Sequence, residues 1–151
     1  MSPTDPLERW RAGIVTRDAD ETAALAAEFA ALLPADTVLA LHGDLGAGKT
    51  TFTRGFARAL GIREPVTSPT YSIFSIYRGE KHRLLHMDAY RLVRPEDADN
   101  LVMWELLESP WTMIVEWPSK LGDRLPPDAW HLEISIVESG VHRLKLLGGQ
   151  I

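Results

Sequence analysis

The residues best suited to chemistry lie in a glycine-rich segment, residues 43–50, with the sequence GDLGAGKT. This segment fits the pattern G-x-x-x-x-G-K-[ST], in which glycines let successive backbone N–H groups point at phosphate oxygens. A predicted helix follows the segment, and the partial positive charge of a helix N-terminus favours an anion. In this pattern Lys49 reaches the β- and γ-phosphates and the Thr50 hydroxyl ligates Mg²⁺. The predicted nucleotide-binding residues are Gly43, Asp44, Leu45, Gly46, Ala47, Gly48, Lys49, Thr50 and Thr51.

Two carboxylates could form the opposite wall of such a site. Asp88 follows the apolar run LLHM at residues 84–87, and Glu116 follows the run MIV at residues 113–115. Open α/β sheets place their ligand crevice at the carboxyl ends of strands, so we expect both side chains near the glycine-rich loop. Either carboxylate could bind Mg²⁺ or orient an attacking water, and the sequence leaves the two roles open. The alternative is that both are surface acids at strand ends.

Two further segments are candidates for contact with the nucleotide. Residues 66–71, with the sequence VTSPTY, follow the predicted helix where switch loops often lie, and the Thr70 hydroxyl could sense the γ-phosphate. The alternative is a proline-rich turn with solvated hydroxyls. Trp117 could stack on a ligand or partner, or pack as a core or rim aromatic. We expect His86 to be a satisfied core histidine, and Arg54 and Arg58 to form a solvated or partner-facing side of the helix.

The elements that must position these residues alternate between strand and helix. Strands are predicted at residues 13–16, 37–41, 71–77, 83–87, 112–115, 130–137 and 141–147, and helices at 19–33, 49–60 and 95–107. This order predicts an α/β protein, P-loop NTPase-like, with three α/β/α layers and a mainly parallel sheet plus antiparallel hairpin strands. Residues 1–11 are predicted to form a flexible tail, and residues 12–151 a single P-loop ATPase domain.

Composition narrows the classes of function. A net charge of -5 disfavours a free-standing nucleic-acid binder, and the absence of cysteine excludes disulfides and thiol chemistry. The histidines lack metal-binding spacing, so no zinc site is predicted. No apolar run approaches the ~20 residues that span a bilayer, and no signal peptide is recognisable. We therefore expect a cytoplasmic protein with no membrane association.

Four sequence blocks resemble the TsaE family, also called YjeE. They are GDLGAGKTT at 43–51, VTSPTY at 66–71, HMDAYRL at 86–92 and VEWPSKLGDRLP at 115–126, and the resemblance extends over about residues 13–137. It implies an ATPase that requires Mg²⁺, is weak alone and is a monomer when alone. It also implies assembly with the TsaD and TsaB proteins, which transfer threonylcarbamoyl to adenosine 37 of tRNA. In that family the ATPase resets the TsaB–TsaD complex and meets tRNA only through it.

The resemblance also implies roles for particular residues. Thr50 and Glu116 would be Mg²⁺ ligands, Asp88 would complete the metal and water site, residues 68–71 would sense the nucleotide, and Trp117 would lie beside it. The stretch from 93 to 111 lacks the glycine-containing turn usual in the family.

Other classes of function remain open on the residues alone. One is a small P-loop kinase acting on a nucleotide or metabolite, although no arginine-rich lid is recognisable. Another is an adaptor that binds nucleotide without hydrolysing it. Because little in the sequence supplies a strong base or an arginine finger, we expect slow intrinsic hydrolysis that partners accelerate.

Overall fold

The computed structural model describes residues 5–44, 48–67, 73–100 and 103–148. Leu45, Gly46, Ala47 and Thr70, which the sequence places at the nucleotide, lie outside these ranges. Seven strands form the sheet: β1 (Ile14–Thr16), β2 (Thr37–His42), β3 (Phe74–Arg78), β4 (Arg83–Asp88), β5 (Trp111–Glu116), β6 (Trp130–Glu138) and β7 (Val141–Gly148). The helices are α1 (Pro6–Ala12), α2 (Ala19–Leu32), α3 (Lys49–Ala59) and α4 (Met103–Leu106), with 3-10 segments at Ala89–Arg91, Pro95–Asn100 and Pro118–Arg124.

The sheet has the strand order β1-β7-β6-β2-β5-β4-β3. The four central strands, β6, β2, β5 and β4, are parallel to one another. The pairs β3–β4, β6–β7 and β1–β7 are antiparallel, so hairpin strands flank the parallel centre on both sides. The predicted α/β class, with parallel and hairpin strands in one sheet, is confirmed.

Each face of the sheet is buried under different elements. On one face, apolar residues of α2 and α3 pack against alternate residues of the strands, among them Phe29, Phe56 and Leu41. On the other face the 3-10 segments supply the cover, with Leu92 and Leu121 packed against Met113. The second layer is therefore built mainly of short 3-10 turns rather than long helices.

The helices α2 and α3 are fixed against each other by a close backbone contact. Asp18 caps the first turn of α2, since its side chain accepts a hydrogen bond of 2.8 Å from the Glu21 amide. A Cβ atom at Gly55 in α3 would overlap the carbonyl oxygen of Ala23 and lie 2.7 Å from its Cα. This contact holds α3, and hence its first residue Lys49, at a set depth over the sheet.

Two expectations from the sequence are wrong. Residues 6–11 are not a loose tail but part of α1, in which Leu7 and Trp10 are buried and Asp5 accepts a hydrogen bond from the Leu7 amide. The segment is rich in prolines and charges of both signs, so its one apolar i, i+3 pair, Leu7 and Trp10, was not recognised as the buried side of a helix. Residues 95–107 do not form one helix: a 3-10 segment, Pro95–Asn100, precedes the short α4.

No helix in the described ranges is long and apolar enough to cross a bilayer.

Candidate functional site

The glycine-rich loop leaves the sheet at the carboxyl end of β2 and enters α3. Gly48 precedes α3 in the left-handed conformation, with φ 99° and ψ 16°, which only glycine adopts without strain. Thr50 and Thr51 are the second and third residues of α3 and are half-buried. The first turn of α3 therefore lies at the end of the sheet where β2 stops.

Lys49 lies at the centre of the site. Its side chain is buried, with 5% of the residue exposed, and its Nζ donates a 2.7 Å hydrogen bond to the carbonyl oxygen of Gly43. The same Nζ lies 4.0 Å from the centroid of the Trp117 ring, a cation–π contact. Burial lowers the pKa of Lys49, and the negative charges of Glu116, Asp88 and Asp44 oppose that shift. One cation thus faces three carboxylates.

Asp88 and Glu116 end adjacent parallel strands and are opposite each other in the register of β4 and β5. Glu116 also lies opposite Leu41 of β2, next to the start of the glycine-rich loop. The Asp88 carboxylate accepts a hydrogen bond from the Tyr90 amide and forms an ion pair of 3.6 Å with Arg91. The two predicted carboxylates are therefore brought together with Lys49, as the strand-end argument requires.

His86 is the main residue whose role the sequence did not reveal. It is fully buried, as expected of a core histidine, but its Nε2 lies 2.5 Å from Oε2 of Glu116, which is itself 6% exposed. His86 Nδ1 has no hydrogen-bond partner among the described residues, so the prediction of a satisfied histidine is wrong. In the neutral imidazole, Nε2–H donating to the carboxylate leaves Nδ1 as the unpaired acceptor. His86 thus fixes one oxygen of Glu116.

Trp117 adopts an unusual backbone conformation at the edge of the site. Its φ of 57° and ψ of 51° are left-handed, a region that a bulky residue rarely occupies. The ring packs against Lys49 and lies 5.3 Å from the ring of Tyr90. Backbone strain of this kind concentrates at ligand sites, where the surrounding structure holds the residue in place.

A cavity of about 270 Å³ opens beside Trp117. Its walls include Gly43 and Asp44 of the glycine-rich loop on one side, and Glu133 and Ser135 of β6 on the other. Polar groups thus line a concave space directly next to the predicted phosphate loop.

A histidine pair supports the base of the loop and was not found from the sequence. His42 Nε2 lies 2.9 Å from His131 Nδ1, and the two rings are stacked. Burial, the nearby His131 and Lys49 lower the pKa of His42, while Glu133 acts in the opposite direction. The ring of His142 lies nearby, 3.9 Å from where a Cβ atom on Gly48 would be. The position of His42, one residue before the loop, was the only signal in the sequence.

The donor atoms suit Mg²⁺ better than a softer metal. Asp88 and Glu116 offer carboxylate oxygens and Thr50 a hydroxyl, the hard oxygen ligands that Mg²⁺ prefers. Within the described ranges no group of three or more His, Cys, Asp or Glu could hold a metal ion by itself.

Comparison with known proteins places the chain in a family. A family model described as "Threonylcarbamoyl adenosine biosynthesis protein TsaE" matches residues 16–144. A Bacillus subtilis (strain 168) protein named tRNA threonylcarbamoyladenosine biosynthesis protein TsaE is 39% identical over 132 residues, covering 87% of this chain and 78% of the relative. A Treponema pallidum (strain Nichols) protein of the same name is 34% identical, covering 83% and 93% respectively.

A solved structure agrees with this assignment. The crystal structure of YdiB from Bacillus subtilis superposes with a TM-score of 0.73 at 33% identity, covering 89% of this chain and 82% of that one. This similarity supports the P-loop NTPase-like fold. With a family model that matches most of its length and relatives above 30% identity, the chain belongs to the TsaE family.

Proposed function

We propose that this protein binds ATP with Mg²⁺, hydrolyses ATP, and thereby supports N6-threonylcarbamoyladenosine biosynthesis at adenosine 37 of tRNA. The observation that carries the proposal is the buried Lys49 at the end of the glycine-rich loop, with the charges of Glu116 and Asp88 acting on it. The biosynthetic role is supported by the names of the family and of its relatives.

The residues of the site would have different roles in phosphoryl transfer. Lys49 would donate to oxygens of the β- and γ-phosphates and stabilise negative charge that develops as the γ-phosphoryl leaves. Thr50, Asp88 and Glu116 would hold Mg²⁺, which when bound neutralises phosphate charge. One of the two carboxylates would orient the attacking water and accept its proton. The cavity beside Trp117 offers room for the base and sugar.

Partner proteins would control the rate of ATP hydrolysis. Among the described residues of the site, Arg91 is paired with Asp88, so it is not free to stabilise negative charge in the transition state. We propose that hydrolysis resets a complex of TsaB and TsaD, and that tRNA is met only through that complex. The protein alone would then turn over slowly.

Steady-state ATPase assays of the full chain, alone and with TsaB and TsaD from the same organism, test the proposal. We expect slow hydrolysis alone, stimulation by the partners, and loss of multiple-turnover tRNA modification in Lys49→Ala. The matched control is Lys81→Ala, because Lys81 is an exposed lysine in the β3–β4 turn. Rapid hydrolysis that the partners do not change would contradict the proposal. ADP production at the background level, unchanged in Glu116→Gln, would instead favour an adaptor that binds nucleotide without hydrolysing it.

A further inference from the structure

A second concave site lies toward the carboxyl end of α3, away from Lys49. Arg54, Arg58 and Arg63 border a cavity of about 310 Å³, whose floor includes the buried residues Ala57, Ile62 and Val66. We call it the arginine pocket. Arg58 is nine residues beyond Lys49, about 13 Å along the helix axis, so the pocket is separate from the predicted phosphate site.

The positive charge of the arginine pocket is mostly unneutralised. All 21 Asp and Glu residues lie within the described ranges, and none forms an ion pair with Arg54 or Arg58. Arg63 pairs with Glu80 at 3.8 Å, but both side chains are largely exposed, so this pair is weak. Glu64 also borders the pocket and is the one opposing charge there. Three cations against one anion stand out in a chain with a net charge of -5.

Local stability accounts for only part of this arrangement. A cation near a helix C-terminus is favoured by the helix dipole, which explains Arg58. Arg54 and Arg58, however, are four residues apart on one helix, and like charges at that spacing are destabilising by a few tenths of a kcal/mol. Arg54 is also held in place, since its Nε donates a 2.9 Å hydrogen bond to the Val66 carbonyl. The remaining guanidinium N–H groups of Arg54 are therefore presented at a fixed position.

The chemistry of the pocket selects among anions. Guanidinium groups bind carboxylates and phosphates through paired N–H donors. Among the described residues, those that border the pocket include no aromatic ring on which a nucleic-acid base could stack. The negative net charge and Glu64 also oppose a phosphate backbone, whose binding depends on many clustered cations. The apolar floor suits the methylene stem of an acidic side chain.

We propose that the arginine pocket binds an acidic segment of a partner protein through its Asp or Glu carboxylates. Arg58 and Arg63 supply exposed guanidinium groups, and Arg54 supplies one that the Val66 carbonyl holds in place. The pocket would be present whether or not the protein hydrolyses ATP.

NMR titration of the full ¹⁵N-labelled chain tests the proposal. The probes are the acetylated, amidated peptide (Glu-Gly)₃, the matched peptide (Gln-Gly)₃ and a uridine hexanucleotide. We expect the Nε–Hε resonances of Arg58 and Arg63 to shift with the glutamate peptide only. Charge reversal in Arg58→Glu should weaken peptide binding about tenfold, which corresponds to about 1.4 kcal/mol, and Arg58→Gln should weaken it less.

Arg17→Glu provides the control, because Arg17 is an exposed arginine on a different part of the surface and has no ion pair within the described ranges. It should change the affinity less than twofold. Equal losses in Arg17→Glu and Arg58→Glu would overturn the proposal by showing unspecific attraction. Absence of shifts at millimolar peptide would also overturn it. Tighter binding of the hexanucleotide than of the glutamate peptide, lost in Arg58→Glu, would assign the pocket to phosphate instead.

Discussion

Replacing His86 by leucine should impair ATP hydrolysis while changing the stability of the protein little. His86 is fully buried and touches Glu116 through Nε2, while its Nδ1 has no partner in the described part of the chain. Leucine fills a similar volume and has no polar atoms. The substitution therefore removes the contact with Glu116, which stabilises the fold, together with the unpaired Nδ1, which destabilises it.

The two contributions to stability nearly cancel. An unpaired buried polar atom costs about 1–3 kcal/mol, and that cost disappears in His86→Leu. A hydrogen bond to a charged group contributes about 1.5–3 kcal/mol, and that contribution is lost. We expect a net change within about 2 kcal/mol, so the midpoint of thermal unfolding should move by no more than about 8 °C in a chain of this length.

The expected loss of ATP hydrolysis in His86→Leu has no second effect to offset it. Without His86 the Glu116 carboxylate loses the contact that fixes one of its oxygens next to Lys49. Loss of a partner that orients a metal-binding group typically costs about 10–100-fold in metal affinity or activity. The assay is ATP hydrolysis as a function of Mg²⁺ concentration, with Mg²⁺–ATP binding by calorimetry as a second measurement.

A second histidine, one residue before the start of β4, supplies the control. His82 Nε2 lies 2.8 Å from the Thr112 hydroxyl, at the end of β4 and β5 opposite to the site. His82→Leu should retain full activity. The reasoning is refuted if His86→Leu keeps the wild-type rate and Mg²⁺ dependence, or if its activity falls only in proportion to the fraction unfolded.

Three other predictions concern the loop, the helix contact and pH. Lys49→Met should weaken ATP binding about 10–100-fold by calorimetry, since a hydrogen bond to a charged group contributes about 1.5–3 kcal/mol; affinity within twofold of wild type would contradict it. Gly55→Ala should lower the midpoint of thermal unfolding, because the new Cβ overlaps the Ala23 backbone. Alanine otherwise stabilises a helix relative to glycine. An unchanged or raised midpoint would show that α2 and α3 can separate freely. The lowered pKa of His42 means that the folded protein binds fewer protons than the unfolded chain as pH falls below 6.5, so stability should fall with pH there. His42→Asn should reduce that slope in urea unfolding without abolishing it, because the pKa of His82 is also lowered.

The candidate site at the carboxyl end of the sheet could be predicted from the sequence because each part of it depends on local signals. The apolar runs before Asp88 and Glu116 are too short for helices and end at acids, and parallel strands end at the same edge. The register of β4 and β5 then brings the two carboxylates together, since Asp88 and Glu116 lie directly opposite each other. Lys49 follows from a loop pattern whose geometry is tightly constrained.

The features that could not be predicted depend on long-range contacts. His86 meets Glu116 because β4 and β5 are neighbours and the two residues are diagonal on one face, which no local pattern states. The helix α1 has only seven residues, too few to be stable alone, and exists because Leu7 and Trp10 are buried in the core. The stretch 95–107 is predicted as one helix, yet its described part divides into a 3-10 segment, Pro95–Asn100, and the short α4.

Three charged residues of the site each have a partner within the protein. Lys49 donates to the Gly43 carbonyl, Glu116 contacts His86, and Asp88 pairs with Arg91. Under the proposed function, phosphate must draw Lys49 away from Gly43, and an ordered water must compete with Arg91 or His86 for a carboxylate. In each case a new contact with phosphate or water would form only as an existing contact within the protein breaks. The site of the protein alone is therefore poorly arranged for rapid ATP hydrolysis. A partner that moves Arg91 away from Asp88 would release that carboxylate, which gives a structural route for the stimulation we propose.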